Sequence, residues 1–268
     1  MGFEVVRGAA LSWGAIGLWS SAYLAETLGS REIPVRVGGD DRNLAAREVL
    51  HGELAPYSYV FQTSILFGAP RLLGDLSLPL GAPSPADLLE INLWYGPSGN
   101  HAPLHFDTKD NYYVQVAGEK RFILVDPAKT DMQLADASSP DWRKGRLDVG
   151  SGGVDAAEIV LHPGDVLHMD PFMGHDVTAV TDSISVNFWY KARLDRVAPE
   201  MVYRLAFWLS QSDDPKSELN GFILPNERAN VASFLIETVQ EYCSGQAGKH
   251  VRAASDDWLA ELECLLCG

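Results

Sequence analysis

The chain is short of cysteine, of basic residues and of long apolar runs, and each shortage removes a class of protein. Three cysteines occur in 268 residues, Cys243, Cys264 and Cys267, all near the C-terminus. That is too few for a disulfide framework, and Cys264-Leu265-Leu266-Cys267 has no second pair or nearby histidine to complete a zinc site. A helix face carrying thiols reduced in a cytoplasm is the expectation instead. No apolar stretch approaches the ~18–20 residues of a membrane span, and the N-terminus is patterned as strand and helix, with no secretory signal. Lys and Arg number 21 against 36 Asp and Glu, a formal charge of −15. Such a surface repels phosphate backbones and anionic lipid, and it steers basic peptides inward. Neither a nucleic acid nor a membrane is therefore expected as partner; a protein or peptide carrying Arg or Lys is.

The most informative stretch is Pro103-Leu104-His105-Phe106-Asp107, with Lys120 thirteen residues after Asp107 and His175 far downstream. A His-x-Asp pair plus one distant His is the sequence form of a two-histidine, one-carboxylate facial triad, which holds Fe(II) and leaves positions open for other ligands. Neutral imidazoles and a hard carboxylate suit that ion, whereas thiolates would favour zinc or an iron–sulfur cluster. On a strand, positions 105 and 107 share a face. The third ligand must come from another strand, as in a barrel whose strands return to one mouth. Alone, His-x-Asp is a weak signal, so its surroundings decide.

Ile91-Asn92-Leu93-Trp94-Tyr95 alternates as a strand and breaks at Gly96-Pro97. Asn111–Val116 and Lys120–Val125, separated by a turn at Gly118, read as a hairpin. Period-two parity puts Asn111, Tyr113 and Gln115 on one face, and Lys120 with Phe122 and Leu124 on one face. A lysine pointing into a core wants an anion; the plainer alternative is a lysine snorkelling at a hairpin edge. A second strand block runs from Pro163-Gly164-Asp165 through His175 to Ile184–Tyr190, with Asn187 among apolar neighbours where an amide needs a partner. His101 reads as a loop neighbour of the pair and His168 as a packed strand residue.

These segments carry a resemblance. "INLWYGP", "PLHFD", "NYYVQVAGEKRFILVDP", "PGDVLHMDPFMGH" and "SVNFWY", in that order, resemble the JmjC (cupin-like) Fe(II)/2-oxoglutarate oxygenases, over roughly residues 3–193. The chain is most similar to hydroxylases of the factor-inhibiting-HIF and JmjC arginyl-hydroxylase type. The resemblance implies a mainly β fold with helical flanks around a double-stranded β-helix (jelly-roll, cupin) core. It implies Fe(II) held by His105, Asp107 and His175, and 2-oxoglutarate paired through its far carboxylate with Lys120 and the Tyr59 hydroxyl. Asn111 and Asn187 match amides near the cosubstrate, and Gln62 and Trp94 match positions on the substrate side. One departure stands out: Ala102 occupies the place where many relatives carry a hydroxyl residue, three before the first ligand. One hydrogen bond to the cosubstrate should be missing, which weakens binding without abolishing it.

Organisation follows from pattern: an α/β flanking region over 1–84, the β core over 85–193 and a helical region over 194–268. Helices are expected around Ser20–Leu28 and Asn43–Leu50, a loop insertion over Asp131–Asp155, and helices at Val202–Leu209, Asn230–Tyr242 and Asp256–Leu266. That apolar C-terminal surface must cover something, either a second copy in a homodimer or the core itself. The activity the resemblance implies is hydroxylation of an amino-acid side chain in a protein or peptide, a ribosomally made natural-product precursor included, with succinate and CO₂ as by-products. The alternatives are a JmjC lysine demethylase and a non-catalytic metal-binding cupin acting as sensor or scaffold.

Overall fold

The structure, a computed structural model, describes residues 2–52, 58–126, 132–135, 143–147, 156–192, 197, 199–210, 234–235 and 237–239. The alternating segments become strands. In chain order these are β1 (Phe3–Val6), β2 (Glu32–Val37), β3 (Asp40–Ala45), β4 (Tyr59–Ser64), β5 (Leu88–Gly96) and β6 (His101–Phe106). They continue as β7 (Asp110–Ala117), β8 (Lys120–Val125), β9 (Met132–Leu134) and β10 (Gly145–Leu147). The last four are β11 (Ala156–Leu161), β12 (Val166–Met169), β13 (Gly174–Ala179) and β14 (Ser183–Tyr190).

Two sheets face each other, ordered β1-β12-β7-β14-β5-β4-β2-β3 and β11-β8-β13-β6, with antiparallel pairing throughout. The core strands divide evenly between them, β5, β7, β12 and β14 against β6, β8, β11 and β13. The chain thus crosses from sheet to sheet at nearly every turn of the core, which is the jelly-roll double-stranded β-helix. Strands β1 to β4 of the flanking region extend the larger sheet.

That crossing corrects one expectation. Segments 111–116 and 120–125 are not a hairpin: β7 pairs with β12 and β14, and β8 with β11 and β13. Gly118 sits at the corner between sheets with φ +68°, and a Cβ there would lie 1.9 Å from the Asp182 carbonyl oxygen. Only glycine fits a positive φ with so close an approach.

Parity sorts the larger sheet's two faces. Tyr112, Val114, Val186 and Phe188 join Ile91 and Leu93 in a core with Trp13, Trp19, Leu24 and Leu28. The alternate positions, Asn111, Tyr113 and Asn187, face the space between the sheets. Every residue of β14 is buried, as expected of a strand covered on both sides. The helix Ser21–Leu28 forms where expected, its N-terminus capped by Ser20 Oγ, which accepts from the Tyr23 N–H at 3.1 Å.

Two other expectations change. The helix anticipated at Asn43–Leu50 begins only at Ala46 and runs to His51, because Asn43 and Leu44 are still paired with Pro34 and Ile33 in the β2–β3 ladder. Within the Asp131–Asp155 insertion, the described residues include an antiparallel ribbon, β9 with β10, rather than loop alone. In the tail, Val202–Leu209 lies within the helix Pro199–Ser210, which buries Met201, Val202, Leu205, Ala206 and Leu209. Of the second expected helix, 234–235 and 237–239 are helical, with Leu235 and Val239 buried. The third, Asp256–Leu266, and all three cysteines lie outside the described residues. Among the described residues no helix is long and apolar enough to cross a membrane.

Candidate metal centre

Strand pairing brings the distant histidine home. In the β13–β6 ladder His175 stands directly across from His105, and their rings lie 4.3 Å apart, centroid to centroid. Asp107 is the first residue beyond the end of β6, and its Oδ2 is 3.7 Å from His175 Nε2. Ligand atoms of all three residues fall within 4.8 Å of one another. The β6–β13 register is irregular here, with Pro103 and Leu104 spanning the shift. Pro103 has no N–H to give a ladder, and bulges of this kind re-aim neighbouring side chains.

The backbone also sets which nitrogen each ring presents. His105 Nδ1 lies 2.8 Å from the Pro103 carbonyl, and His175 Nδ1 lies 3.0 Å from the Met173 carbonyl. Donating Nδ1–H to a carbonyl leaves Nε2 unprotonated and free to bind a metal. Behind Asp107, the Phe172 N–H donates to its carbonyl at 2.7 Å, and Phe172 holds φ +65°, unusual for a bulky residue. Arg143, reaching in beside the β9–β10 ribbon, places Nη1 3.6 Å from Asp107 Oδ1.

Charge states follow from these surroundings. Burial draws the His175 imidazole down to about 4, and His105 pushes the same way, so the ring is neutral at ordinary pH. Burial pushes the Asp107 carboxyl up, but His175, His105 and Arg143 outweigh it and hold the group below its usual range. A neutral His175 and an ionised Asp107 are the states a divalent cation requires of such ligands. With His105 they form the donor set that selects iron in a facial arrangement.

The three residues open into a cavity between the sheets, which Lys120 also lines. Lys120 is 7% exposed and makes no ion pair among the described residues. Its Nζ donates to Tyr113 OH at 2.8 Å and to Ser185 Oγ at 3.1 Å. Burial pulls its ammonium down to about 7. A cation held dry without a counter-charge is costly, and a site that maintains one is built for an anion.

Residues 47–196, more than half of the chain, match the family described as Cupin-like domain. The chain belongs to the cupin-like family. The relatives that it matches include JmjC domain-containing proteins. Jumonji C domain-containing protein 5 of Drosophila melanogaster is 27% identical over 208 residues, covering 67% of this chain and 52% of that protein. Lysine-specific demethylase 8 of Xenopus tropicalis is 28% identical over 210 residues, covering 69% and 47%. The human bifunctional peptidase and (3S)-lysyl hydroxylase JMJD7 is 22% identical over 245 residues, covering 71% and 78%. The chain spans about half the length of the first two.

Most of the sequence-derived site residues of this cupin-like chain meet in the one cavity: His105, Asp107, His175, Lys120, Asn111, Asn187, Tyr59 and Trp94 all line it. Gln62 does not; it is exposed in an irregular stretch of β4 with φ +40°. Tyr59 lines the cavity, but its hydroxyl accepts from Arg36 Nη1 at 3.0 Å. The hydroxyls beside Lys120 are those of Tyr113 and Ser185, which sequence reasoning missed. Parity had already put Tyr113 on the face of Asn111, and that was the available signal. Trp94 is tied inward, its Nε1–H donating to Asn187 Oδ1 at 2.8 Å, while Asn187 Nδ2 donates to Asn111 Oδ1 at 3.1 Å. This relay fixes both amides and leaves the Asn111 nitrogen and the second Asn187 hydrogen as donors. His101 pairs with Asp176 at 2.8 Å. His168 stacks on Tyr112 and bonds Asp110 at 2.6 Å, so the second His/Asp group of the cupin-like core, Asp110, His168 and Asp170, is already hydrogen-bonded.

Proposed function

We propose that the chain is an Fe(II)- and 2-oxoglutarate-dependent oxygenase that hydroxylates an amino-acid side chain of a protein or peptide. One observation carries the reading: a single cavity contains both a two-histidine, one-carboxylate set and a buried lysine that makes no ion pair among the described residues. A metal scaffold has no need of the lysine, and a simple anion site has no need of the triad. The donor set fits Fe(II), and the Lys120 end fits a carboxylate.

Fe(II) with 2-oxoglutarate supplies the oxidising chemistry, in which O₂ and the 2-oxo acid give succinate, CO₂ and one oxygen atom inserted into a substrate C–H bond. The protein's own contribution is placement. His105 and His175 present Nε2 because their Nδ1 hydrogens are committed to backbone carbonyls. Lys120 orients the diacid by its far end, and the Trp94–Asn187–Asn111 relay holds a fixed donor nearby. Phe122, Met169 and Val177 keep that part of the cavity apolar and poor in water. The net charge of −15 supports a basic polypeptide as substrate, drawn in by the field of the surface. A homodimer through the C-terminal helices belongs to the same proposal.

Relatives named as a lysine-specific demethylase and as a lysyl hydroxylase keep a second reading open within the same chemistry, oxidation of an N-methyl group. The test is incubation with Fe(II), 2-oxoglutarate, O₂ and a library of basic peptides, read by succinate formation and mass spectrometry. Hydroxylation predicts peptides heavier by one oxygen atom; demethylation predicts loss of methyl carbon with formaldehyde release. Absence of 2-oxoglutarate turnover under all conditions, beside intact metal binding, would favour the sensor or scaffold.

A further inference from the structure

Asp107 is the one candidate metal ligand that lies outside a strand, just past the end of β6. Its two carboxylate oxygens face different partners. Oδ2 is 3.7 Å from His175 Nε2, and Oδ1 is 3.6 Å from Arg143 Nη1. Apart from His175, Arg143 carries the only cationic head group within ion-pair distance of Asp107 among the described residues. Lys109, the nearest cation in sequence, instead lays its Nζ over the Trp189 ring, 4.8 Å from the centroid. Arg143 does not line the cavity, so it reaches the carboxylate from outside. The backbone delivers it there. The Phe106 N–H donates to the Arg143 carbonyl at 3.0 Å, and Lys144 bridges to His105. On the far side the Ala135 N–H donates to the Lys144 carbonyl at 2.9 Å, and Arg204 of the helix Pro199–Ser210 donates to the Ala135 carbonyl. Arg143 is thus pinned to the strand that carries His105 and leads directly into Asp107.

The placement matters because a carboxylate can bind a metal through one oxygen or through both. A two-histidine, one-carboxylate face that uses one oxygen fills three positions of an octahedral ion and leaves three open. A 2-oxo acid takes two of these, and one remains for a further ligand. Asp107 bound through both oxygens would close that last position. We propose that Arg143 is a positioning residue for the candidate metal centre: it holds Asp107 Oδ1 turned aside, so that Asp107 binds through Oδ2 alone and one position stays open after the cosubstrate has bound. This rests on the metal and cosubstrate reading above and adds to it a residue from the insertion between the two halves of the core. Stability is not what the pair supplies. The Arg143 side chain is 49% exposed, and an ion pair so solvated adds little to folding. Its effect is to make the two oxygens of Asp107 unequal before any ion arrives.

The test uses the full chain loaded with Mn(II), with the waters on the ion counted by water-proton relaxation before and after 2-oxoglutarate is added. In the wild type the bound-water signal should fall on adding 2-oxoglutarate and keep about one third of its size. Arg143→Met removes the charge and keeps most of the stem. It should still bind Mn(II), lose about one third of the bound-water signal without 2-oxoglutarate, and lose nearly all of it with 2-oxoglutarate. Arg143→Lys, which keeps the charge, should recover most of that loss. The backbone bond from Phe106 to residue 143 survives in both variants, so undocking of the ribbon does not account for the change. A Met variant with the wild-type water count in both states would overturn the proposal while leaving the metal and cosubstrate reading intact, and so would a Lys variant no better than Met. Loss of Mn(II) itself in Arg143→Met would overturn it too, since the pair would then serve binding rather than its mode. If the wild type binds no Mn(II), or keeps all its bound water with 2-oxoglutarate, the underlying reading fails and the proposal with it.

Discussion

Replacing Lys120 with Met should make the ligand-free protein more stable and the cosubstrate site nearly useless. The side chain is buried, and burial lowers its ammonium from 10.5 to about 7. At ~1.4 kcal/mol per pH unit, keeping that charge in the fold costs ~4–5 kcal/mol below pH 7. The cost is fully present there and fades as pH climbs from about 7 towards 10.5, because over that span the unfolded chain holds a proton that the folded one has released. Met removes the cost but also two hydrogen bonds, to Tyr113 and Ser185, worth ~1 kcal/mol each. The net gain at neutral pH is ~2 kcal/mol, or a rise in Tm of ~5 °C for a chain of this size. Near pH 9, roughly 1.5 units below the unfolded value, the gain should vanish. Binding moves oppositely: loss of one partner of a buried ion pair costs ~2–5 kcal/mol of 2-oxoglutarate affinity. Thermal scans at several pH values, with calorimetric titration alongside, read both. A variant that is less stable at neutral pH yet binds 2-oxoglutarate normally would refute the reasoning.

Other expectations follow from single contacts. Gly118→Ala should destabilise by ~3 kcal/mol or more in denaturant melts, since positive φ and a 1.9 Å approach to Asp182 leave no room for a Cβ. Ala102→Ser should tighten 2-oxoglutarate up to roughly tenfold by adding a hydroxyl to the cavity wall; Ala102→Thr tests the room available, because overpacking can cost ~1–3 kcal/mol, and weaker binding in both would mean residue 102 faces something else. Trp94→Phe removes the donor to Asn187 Oδ1 and should lower stability by ~1–3 kcal/mol, as expected when a buried acceptor loses its partner; an unchanged melt would show the relay to be idle.

The clustering of the candidate metal ligands was legible in the sequence because ligand chemistry restricts residue type and a strand restricts spacing. His105, Asp107 and His175 needed only a fold that returns two strands to one place, and the β6–β13 ladder does so. The 111–125 segment misled because alternation broken by glycine is the same signal in a hairpin and in a corner between sheets; what separates them is the partner strands, dozens of residues away. Tyr113 and Ser185 were hidden for a related reason. Each is an ordinary strand residue, and only the packing of β7, β8 and β14 brings their hydroxyls to Lys120. Gln62 was placed on the substrate side by resemblance alone, and an irregular stretch of β4 leaves it exposed and off the cavity lining. The late start of the helix at Ala46 has a tertiary cause, the β2–β3 ladder claiming Asn43 and Leu44 first.

The central claim is that His105, Asp107 and His175 jointly hold one divalent metal ion. Titration of Fe(II) into the metal-free chain under anaerobic conditions, followed by calorimetry and metal analysis, tests it most directly. One ion per wild-type chain is expected, with binding lost in His105→Ala, Asp107→Ala and His175→Ala while circular dichroism stays that of a folded β protein. Stoichiometric Fe(II) retained at wild-type affinity in any one of the three would contradict it.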